Sequence, residues 1–429
     1  MIWLYRVLFV PVLLLLSPIY LRRMWRRGGY RGGFRQRTGG HNKLPKKTSG
    51  KKRVWLQAVS VGEMLAIGPI LEGLHRDGVE VYLTTTTSTG FRIGNDRYLA
   101  WVVDIGYFPI DWWPFVSRTW QRIDPDLVIL TEGERWPEHM HQAARRGVPV
   151  LNINARLSDR SYRRLSALRP AARLMLKDIT RLLPCSAQDE TRFRELGVPA
   201  AKIITTGNIK LDVAITPISE EERAQLRREL GLPAEGFVLL GSSTWPGEEE
   251  AMLEALRRAR AAGHACSLLL VPRHAERRTE VDRWLRTVGV SFHFRSRGVA
   301  PGEVEVAVGD TTGELRKLTQ LADVVFVGKS LGTHTEGQTP VEAAALAKPI
   351  LFGPGMSNFR LLARDLITRG AAREVASVEE LATATEELLR EPKRRAALAT
   401  AAAQWRAENG GAVARTLDVV REELAKLGG

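Results

Sequence analysis

The sequence predicts an α/β protein built from two Rossmann-like, doubly wound domains and preceded by an N-terminal hydrophobic membrane anchor. Three observations lead there. Short β-rich apolar runs alternate with helical patterns, the alternation starts afresh near the middle of the chain, and an apolar N-terminal segment runs directly into a basic one. With 429 residues, 44% of them hydrophobic, the chain can bury two ordinary domain cores. No repeat period and no low-complexity tract points to a solenoid or to disorder.

The anchor comes first. Residues 2–21 are apolar except for Tyr5, Arg6, Ser17 and Tyr20, close to the roughly 20 apolar residues a spanning helix needs, but interrupted by Arg6, Pro11 and Pro18. A cleaved signal peptide is the rival reading, yet no A-x-A-like site follows Leu16. The formal net charge of +15 is concentrated just behind this segment: from Arg22 to Arg53 no Asp or Glu interrupts the lysines and arginines. Such a run beside an apolar segment suits anionic lipid headgroups better than nucleic acid, and predicts that the body stays on the cytoplasmic side. The expected division is anchor 1–21, basic juxtamembrane linker 22–53, first domain 54–218 and second domain 219–429, with residues 42–52 the most polar part of the linker. Cys185 and Cys266 lie far apart in apolar stretches, so they read as core thiols of a reducing compartment rather than a disulfide or zinc pair.

In the first half, strands are expected at 54–60, 79–86, 127–131, 148–153 and 181–185, with helices including 62–76 and 134–146 between them. In the second half they are expected at 237–240, 267–271, 304–308, 324–327 and 349–352, with helices at 248–261, 275–287, 313–321 and 339–347. Parallel sheets of this kind hold ligands beyond the carboxyl ends of their strands, so functional residues should follow strands directly.

Several do. Ser60-Val-Gly-Glu63 passes from a strand into a helix and sets Glu63 in the first turn, where the helix dipole favours a carboxylate that could take a proton from a hydroxyl. The same position also suits an acid that only caps the helix. Thr131-Glu-Gly-Glu-Arg-Trp-Pro137 offers Glu132 and Glu134 beside Arg135 and Trp136, able to position a sugar hydroxyl or support a developing cationic sugar; a solvated loop before a helix is the plainer alternative. Lys210, in Gly207-Asn-Ile-Lys210, could clamp a leaving phosphate or be an ordinary surface lysine after a turn. In the second half, Gly241-Ser-Ser-Thr244 could hold an anion on free backbone amides, and Arg273 and His274 stand just past a strand. Asp310-Thr-Thr-Gly-Glu314 and Thr339-Pro-Val-Glu342 open helices with acids suited to ribose hydroxyls or a base amino group. No His/Asp cluster shows metal-ligand spacing.

The ordered set Ser60-Val-Gly-Glu63, Glu132-Gly-Glu-Arg-Trp-Pro137, Asn154-Ala-Arg-Leu-Ser158, Gly207-Asn-Ile-Lys210, Val271-Pro-Arg-His274, Gly313-Glu-Leu315 and Phe326-Val-Gly328, continued by Gly353-Pro354 and Asn358-Phe359, resembles the 3-deoxy-D-manno-octulosonic acid (Kdo) transferases of lipopolysaccharide synthesis. The resemblance implies a GT-B fold whose two domains face a central cleft, with a lipid A precursor (lipid IVA) at the first and CMP-Kdo at the second. It implies Glu63 as general base, with Glu132, Glu134 and Lys210 supporting the transition state. It places CMP at Pro272 and Arg273, at Thr312, Gly313 and Glu314, and at Thr339, Pro340, Val341 and Glu342. No metal or other cofactor is expected, and the inner membrane's cytoplasmic face is the expected location.

The chain departs from that pattern in one region. Trp245-Pro246 stands where relatives carry a histidine, Glu336-Gly-Gln-Thr339 where they carry Gly-Gly-His-Asn, and Lys329 where they carry a small residue. The alternatives to a Kdo transferase are a lipid glycosyltransferase of the same fold using a UDP-sugar, and a non-catalytic binder of anionic membranes or nucleic acid.

Overall fold

The computed structural model describes residues 2–26, 33–40, 45–212 and 215–428. The chain divides into two compact units, Met1–Asp212 together with Gly411–Gly429, and Val213–Gly410.

The first unit carries β1 (Arg53–Gln57), β2 (Glu80–Thr85), β3 (Asp104–Tyr107), β4 (Leu127–Thr131), β5 (Val150–Ala155) and β6 (Arg181–Pro184). All pair in parallel, in the order β3-β2-β1-β4-β5-β6. The strand order reverses between β1 and β4. Alternate residues of β1 feed two cores: Val54 and Leu56 pack with Ile70, Leu83 and Ile129, whereas Trp55 packs with Phe108, Trp120 and Val128. Burial on both faces is why these strands read as unbroken apolar runs.

Five helices of this unit matter for the site: α1 (Ile2–Arg26), α2 (Val61–Ala66), α3 (Gly68–Arg76), α4 (Pro137–Arg146) and, after the second unit, a C-terminal helix at Ala412–Lys426. The helix expected over 62–76 is thus two helices, because Pro69 in the first turn of α3 has no N–H to continue α2. The helix expected from residue 134 starts at Pro137, for the same reason of a proline tolerated only in a first turn. Strand β3 was not expected from the sequence.

The second unit carries β7 (Phe237–Thr244), β8 (Cys266–Pro272), β9 (Phe292–Phe294), β10 (Val306–Val308), β11 (Val324–Val327), β12 (Ile350–Phe352) and β13 (Ala372–Glu374). They form a parallel sheet in the order β13-β12-β11-β7-β8-β10-β9, reversing between β7 and β11. The helices used below are α5 (Glu248–Ala261), α6 (Leu315–Leu318), α7 (Val341–Ala345) and α8 (Arg360–Thr368), so that the C-terminal helix Ala412–Lys426 is α9. The three-residue strands β9 and β13 lie at the two edges, where a strand is defined by one neighbour and leaves little mark in the sequence.

The second domain does not run to residue 429 as expected. It ends at Gly410, and α9 returns to the first unit. The cause is an apolar stripe: Leu417, Val419 and Val420 join the core that contains Ile70, Leu71 and Leu74 of α3. Gly73 permits the approach, since a Cβ there would meet Leu417 Cδ1 at 2.6 Å. Asp212 pins the return by accepting from the Gly411 and Val413 amides at 3.0 and 2.7 Å.

Helix α1 is fastened to the first unit by its few polar residues. Tyr5 donates to Asp111 Oδ2 at 2.7 Å, and Arg6 makes a two-pronged pair with the fully buried Glu138 of α4 at 2.8 and 2.9 Å. Its apolar side chains Trp3, Leu4, Val7, Leu8, Leu14 and Leu15 are exposed. Among the described residues, no helix is long and apolar enough to cross a membrane. The basic run is not a uniform solvated stretch either. Arg53 is buried on Glu80, Lys47 pairs with Asp124 and Asp126, Lys52 donates to Leu427 O, and Arg37 donates to Thr86 O. Arg27, Arg31 and Lys43, with residues 42–44 of the polar linker, lie outside the described residues.

Candidate functional site

The reversal between β1 and β4 gathers the first group of expected residues. Glu63 is the third residue of α2, and Ser60 is its N-cap. Ser60 Oγ accepts from the Glu63 amide at 3.2 Å and donates to Glu63 Oε1 at 2.8 Å, a reciprocal N-cap pair. The capping reading of Glu63 is therefore realised. The other carboxylate oxygen does something a cap does not require: Oε2 accepts from Thr131 Oγ1, at the end of β4, and from the Val59 amide at 3.1 Å. One carboxylate thus joins the carboxyl ends of both strands flanking the reversal, and it remains 8% exposed.

The loop after β4 folds around it. Glu132 has a left-handed backbone with φ 45°, a conformation costly for a non-glycine residue. Arg135 holds it there: its guanidinium, buried against Phe193, donates to Glu132 O at 3.0 Å and to Asn152 Oδ1 at 2.6 Å. Burial pulls the Arg135 pKa down to about 10. Arg135 therefore supports the loop from within.

Glu132 Oε1 pairs with the Lys210 ammonium and accepts from Asn154 Nδ2 at 3.3 Å. Asn154 Oδ1 in turn accepts from the Ile209 amide at 3.1 Å, which fixes the segment bearing Lys210. A Cβ on Gly62 would lie 3.8 Å from Lys210 Nζ, so the ammonium stands at the first turn of α2. Glu134 Oε2 accepts from Trp136 Nε1 at 2.8 Å. Burial raises the Glu134 pKa, and the nearby Glu63 carboxylate raises it further, while the Trp136 hydrogen bond opposes both. Two carboxylates in one setting, one pushed toward its neutral form, can divide acid and base work.

Thr131 and Asn154 stand in motifs quoted from the sequence without a role for them, and Asn152 was passed over. Their signal was present: polar side chains within or at the ends of otherwise apolar strands, all buried.

In the second unit the expected donor-contacting residues stand on three junctions. Pro272 ends β8, and Arg273 follows with its amide bonded to Thr244 O at 3.1 Å and its side chain exposed. Thr312 and Gly313 are exposed after β10, Gly313 with φ 90°. Glu314 opens α6. Burial pushes its carboxyl up, but Thr311 and Arg295 outweigh that and hold it below the usual range. Thr339, Pro340, Val341 and Glu342 form the start of α7, with Thr339 Oγ1 accepting from the Val341 amide at 3.2 Å. Glu342 Oε2 is buried without a hydrogen-bond partner, and burial raises its pKa while Arg316 and Arg273 oppose the rise. A carboxylate oxygen in that state is a ready acceptor for ligand hydroxyls.

The anion cradle expected at Gly241-Ser-Ser-Thr244 is absent in that form. Those residues continue β7, and the amides beside them are occupied from within. Glu248, buried at the start of α5, accepts from the amides of Trp245, Lys329, Ser330 and Leu331 at 2.7–3.1 Å. Asp310 is likewise spent internally, on Arg278 and Ser296. A cavity of about 520 Å³ in this unit, lined by His334, Thr335, Ser357, Arg360 and Arg364 among others, includes none of the expected site residues. Among the described residues, no group of three or more His, Cys, Asp or Glu is placed to hold a metal ion.

Comparison with known proteins shows the family and the fold. Residues 32–213 match the family of glycosyltransferase N-terminal domains described as 3-Deoxy-D-manno-octulosonic-acid transferase (kdotransferase). A 3-deoxy-D-manno-octulosonic acid transferase of Bordetella pertussis is 33% identical over 427 residues, covering 95% of this chain and 97% of the relative. One of Haemophilus influenzae is 32% identical, covering 97% and 95%. Among solved structures, UDP-GlcNAc 2-epimerase of Neisseria meningitidis superposes with a TM-score of 0.54 at 14% identity, over 87% of this chain and all of that one. The last likeness concerns the fold, two parallel-sheet α/β domains of GT-B type. Identity of this extent along nearly the whole chain shows that the protein belongs to the 3-deoxy-D-manno-octulosonic acid transferase family of glycosyltransferases.

Proposed function

We propose that the chain transfers Kdo from CMP-Kdo to a hydroxyl of a lipid A precursor, with the first unit holding the acceptor and the second holding the donor. The observation that carries this reading is the Glu63 carboxylate, fixed across the β1/β4 reversal by Ser60, Val59 and Thr131. In this mechanism Glu63 removes the acceptor hydroxyl's proton as its oxygen bonds to the anomeric carbon of Kdo. The bond from that carbon to the phosphate breaks, and CMP leaves as an anion. Glu132 and Glu134 support the electron-poor sugar, and Lys210 at the turn of α2 balances their charge. Arg273 and the residues at 312–314 and 339–342 hold the nucleotide, with the unpartnered oxygen of Glu342 suited to ribose hydroxyls. Cationic side chains and amides supply the stabilisation of the leaving phosphate, so the reading calls for no metal.

The same reading places the enzyme on the cytoplasmic face of the inner membrane. With Tyr5 and Arg6 turned to the first unit and Trp3, Leu4, Val7 and Leu8 outward, α1 suits the lipid interface more than a bilayer crossing. Replacing Leu4 and Leu8 by Glu should abolish flotation with phosphatidylglycerol vesicles while CMP binding persists. Unchanged flotation would remove α1 from the membrane contact.

Mass spectrometry of lipid IVA incubated with the protein and CMP-Kdo tests the reaction. A mass increase by Kdo units is the expected result. Transfer from a UDP-sugar only would refute the donor assignment, and no nucleotide binding at all would favour a non-catalytic binder.

A further inference from the structure

The three departures from the family pattern, scattered in sequence, meet in space. The Lys329 ammonium lies 4.2 Å from the centroid of the Trp245 ring and 3.4 Å from Glu336 Oε1. His274 stands edge-on to the same indole at 5.2 Å, and His334 tilts toward it at 5.9 Å while contacting Pro246 O through Nε2 at 3.0 Å. Trp245 follows β7 and Lys329 follows β11, the two strands on either side of the reversal in the second sheet. That is where doubly wound sheets bind their ligands.

We propose that Lys329, oriented by the face of Trp245, is a donor-binding residue that receives an anionic group of the sugar nucleotide, an inference that rests on the donor reading above. The backbone is the first reason. Lys329 is held at φ 58° by Glu248, which takes its amide at 2.7 Å, and by the Gly337 amide, which donates to its carbonyl at 2.7 Å. A left-handed position favours glycine or asparagine, so a lysine here costs about 1 kcal/mol, and the two backbone bonds fix where its side chain starts. The cation–π contact directs the ammonium without neutralising it. Glu336 is a weak counter-ion: its side chain is 46% exposed against 20% for Lys329, and pairs this solvated exchange readily for a ligand anion. The second reason is the Trp245 indole N–H, buried beside the lysine and without an acceptor. A cation and an unused donor together suit an anion with more than one oxygen. CMP-Kdo offers two, its phosphate and its sugar carboxylate.

Titration calorimetry of the full chain with CMP and with CMP-Kdo, together with KM and kcat, tests this. Lys329→Met keeps the aliphatic length and removes the charge. It should weaken CMP-Kdo binding roughly ten- to a hundredfold with kcat little changed, and Lys329→Arg should recover most of the loss. An equal loss for CMP assigns the phosphate; a loss for CMP-Kdo alone assigns the carboxylate. Glu336→Gln, which removes the competing carboxylate, should tighten donor binding severalfold, an effect no structural role would produce; it serves also if the Met variant does not fold. Donor affinity and KM unchanged in both variants would overturn the proposal. A wild-type protein that binds neither compound would instead overturn the donor reading itself.

Discussion

The two sheets reverse their strand order at equivalent places, yet they treat charge there in opposite ways. At β1/β4, Glu63, Glu132, Glu134 and Lys210 share one small region and keep each other partly uncompensated: Glu134 is pushed toward its neutral form, and Glu63 retains some exposure. At β7/β11, two carboxylates are buried and satisfied from within, Glu248 by four amides and Glu249 by Thr244 and Arg277, while Lys329 and Arg273 stay near the surface. The first arrangement is suited to moving a proton, and the second to fixing loops around a bound anion. A carboxylate at a sheet reversal is thus not diagnostic by itself; what else its oxygens bind decides its role.

The sharpest way to break this contrast is Glu63→Gln. The amide cannot take a proton, so kcat should fall roughly 10²- to 10⁴-fold while the thermal midpoint changes little. Near-normal transfer of Kdo to lipid IVA would reassign the base. Glu248→Ala should do the reverse. It strands four amides, at a cost of roughly 3 kcal/mol or more, and should lower the denaturation midpoint strongly. An unaltered urea midpoint would show that Glu248 is not the keystone of its loop.

Arg273→Ala should affect binding alone, weakening CMP about tenfold without destabilising the fold. Equal affinity in calorimetry would take Arg273 out of the donor site. The smallest effect concerns the attachment of α1. Burial raises the Asp111 pKa to about 6. A carboxyl raised above its ordinary value contributes stability below that value, and the contribution fades as pH rises through about 6. Melting curves should therefore show a decline between about pH 4 and pH 6 that Asp111→Asn flattens; an identical pH dependence in the variant would exclude Asp111 as its source.

Much of the site was legible because it lies where local sequence rules apply. Ser60-Val-Gly-Glu63 has the spacing of a helix N-cap and its acid, and Glu132 and Glu134 follow a strand whose four apolar residues announce it. The supporting role of Arg135 was not legible, for the complementary reason. Its sequence neighbours are Glu134 and Trp136, but its partners are Asn152 and the Glu132 carbonyl, brought to it by the β4–β5 pairing. The free amides expected at Gly241-Ser-Ser-Thr244 failed similarly, since those residues extend β7 once it is flanked by β8 and β11.

By itself, the sequence determined the alternation of strands and helices, the division into two sheets and the placing of acids and cations at strand ends, because periodicity, capping and proline act over a few residues. Only the tertiary structure decided that α9 belongs to the first unit, that Arg6 is a fastening rather than a flaw in the apolar segment, and which carboxylates are consumed by backbone amides. Those outcomes depend on which surfaces are buried together, and burial is set by partners distant in the chain.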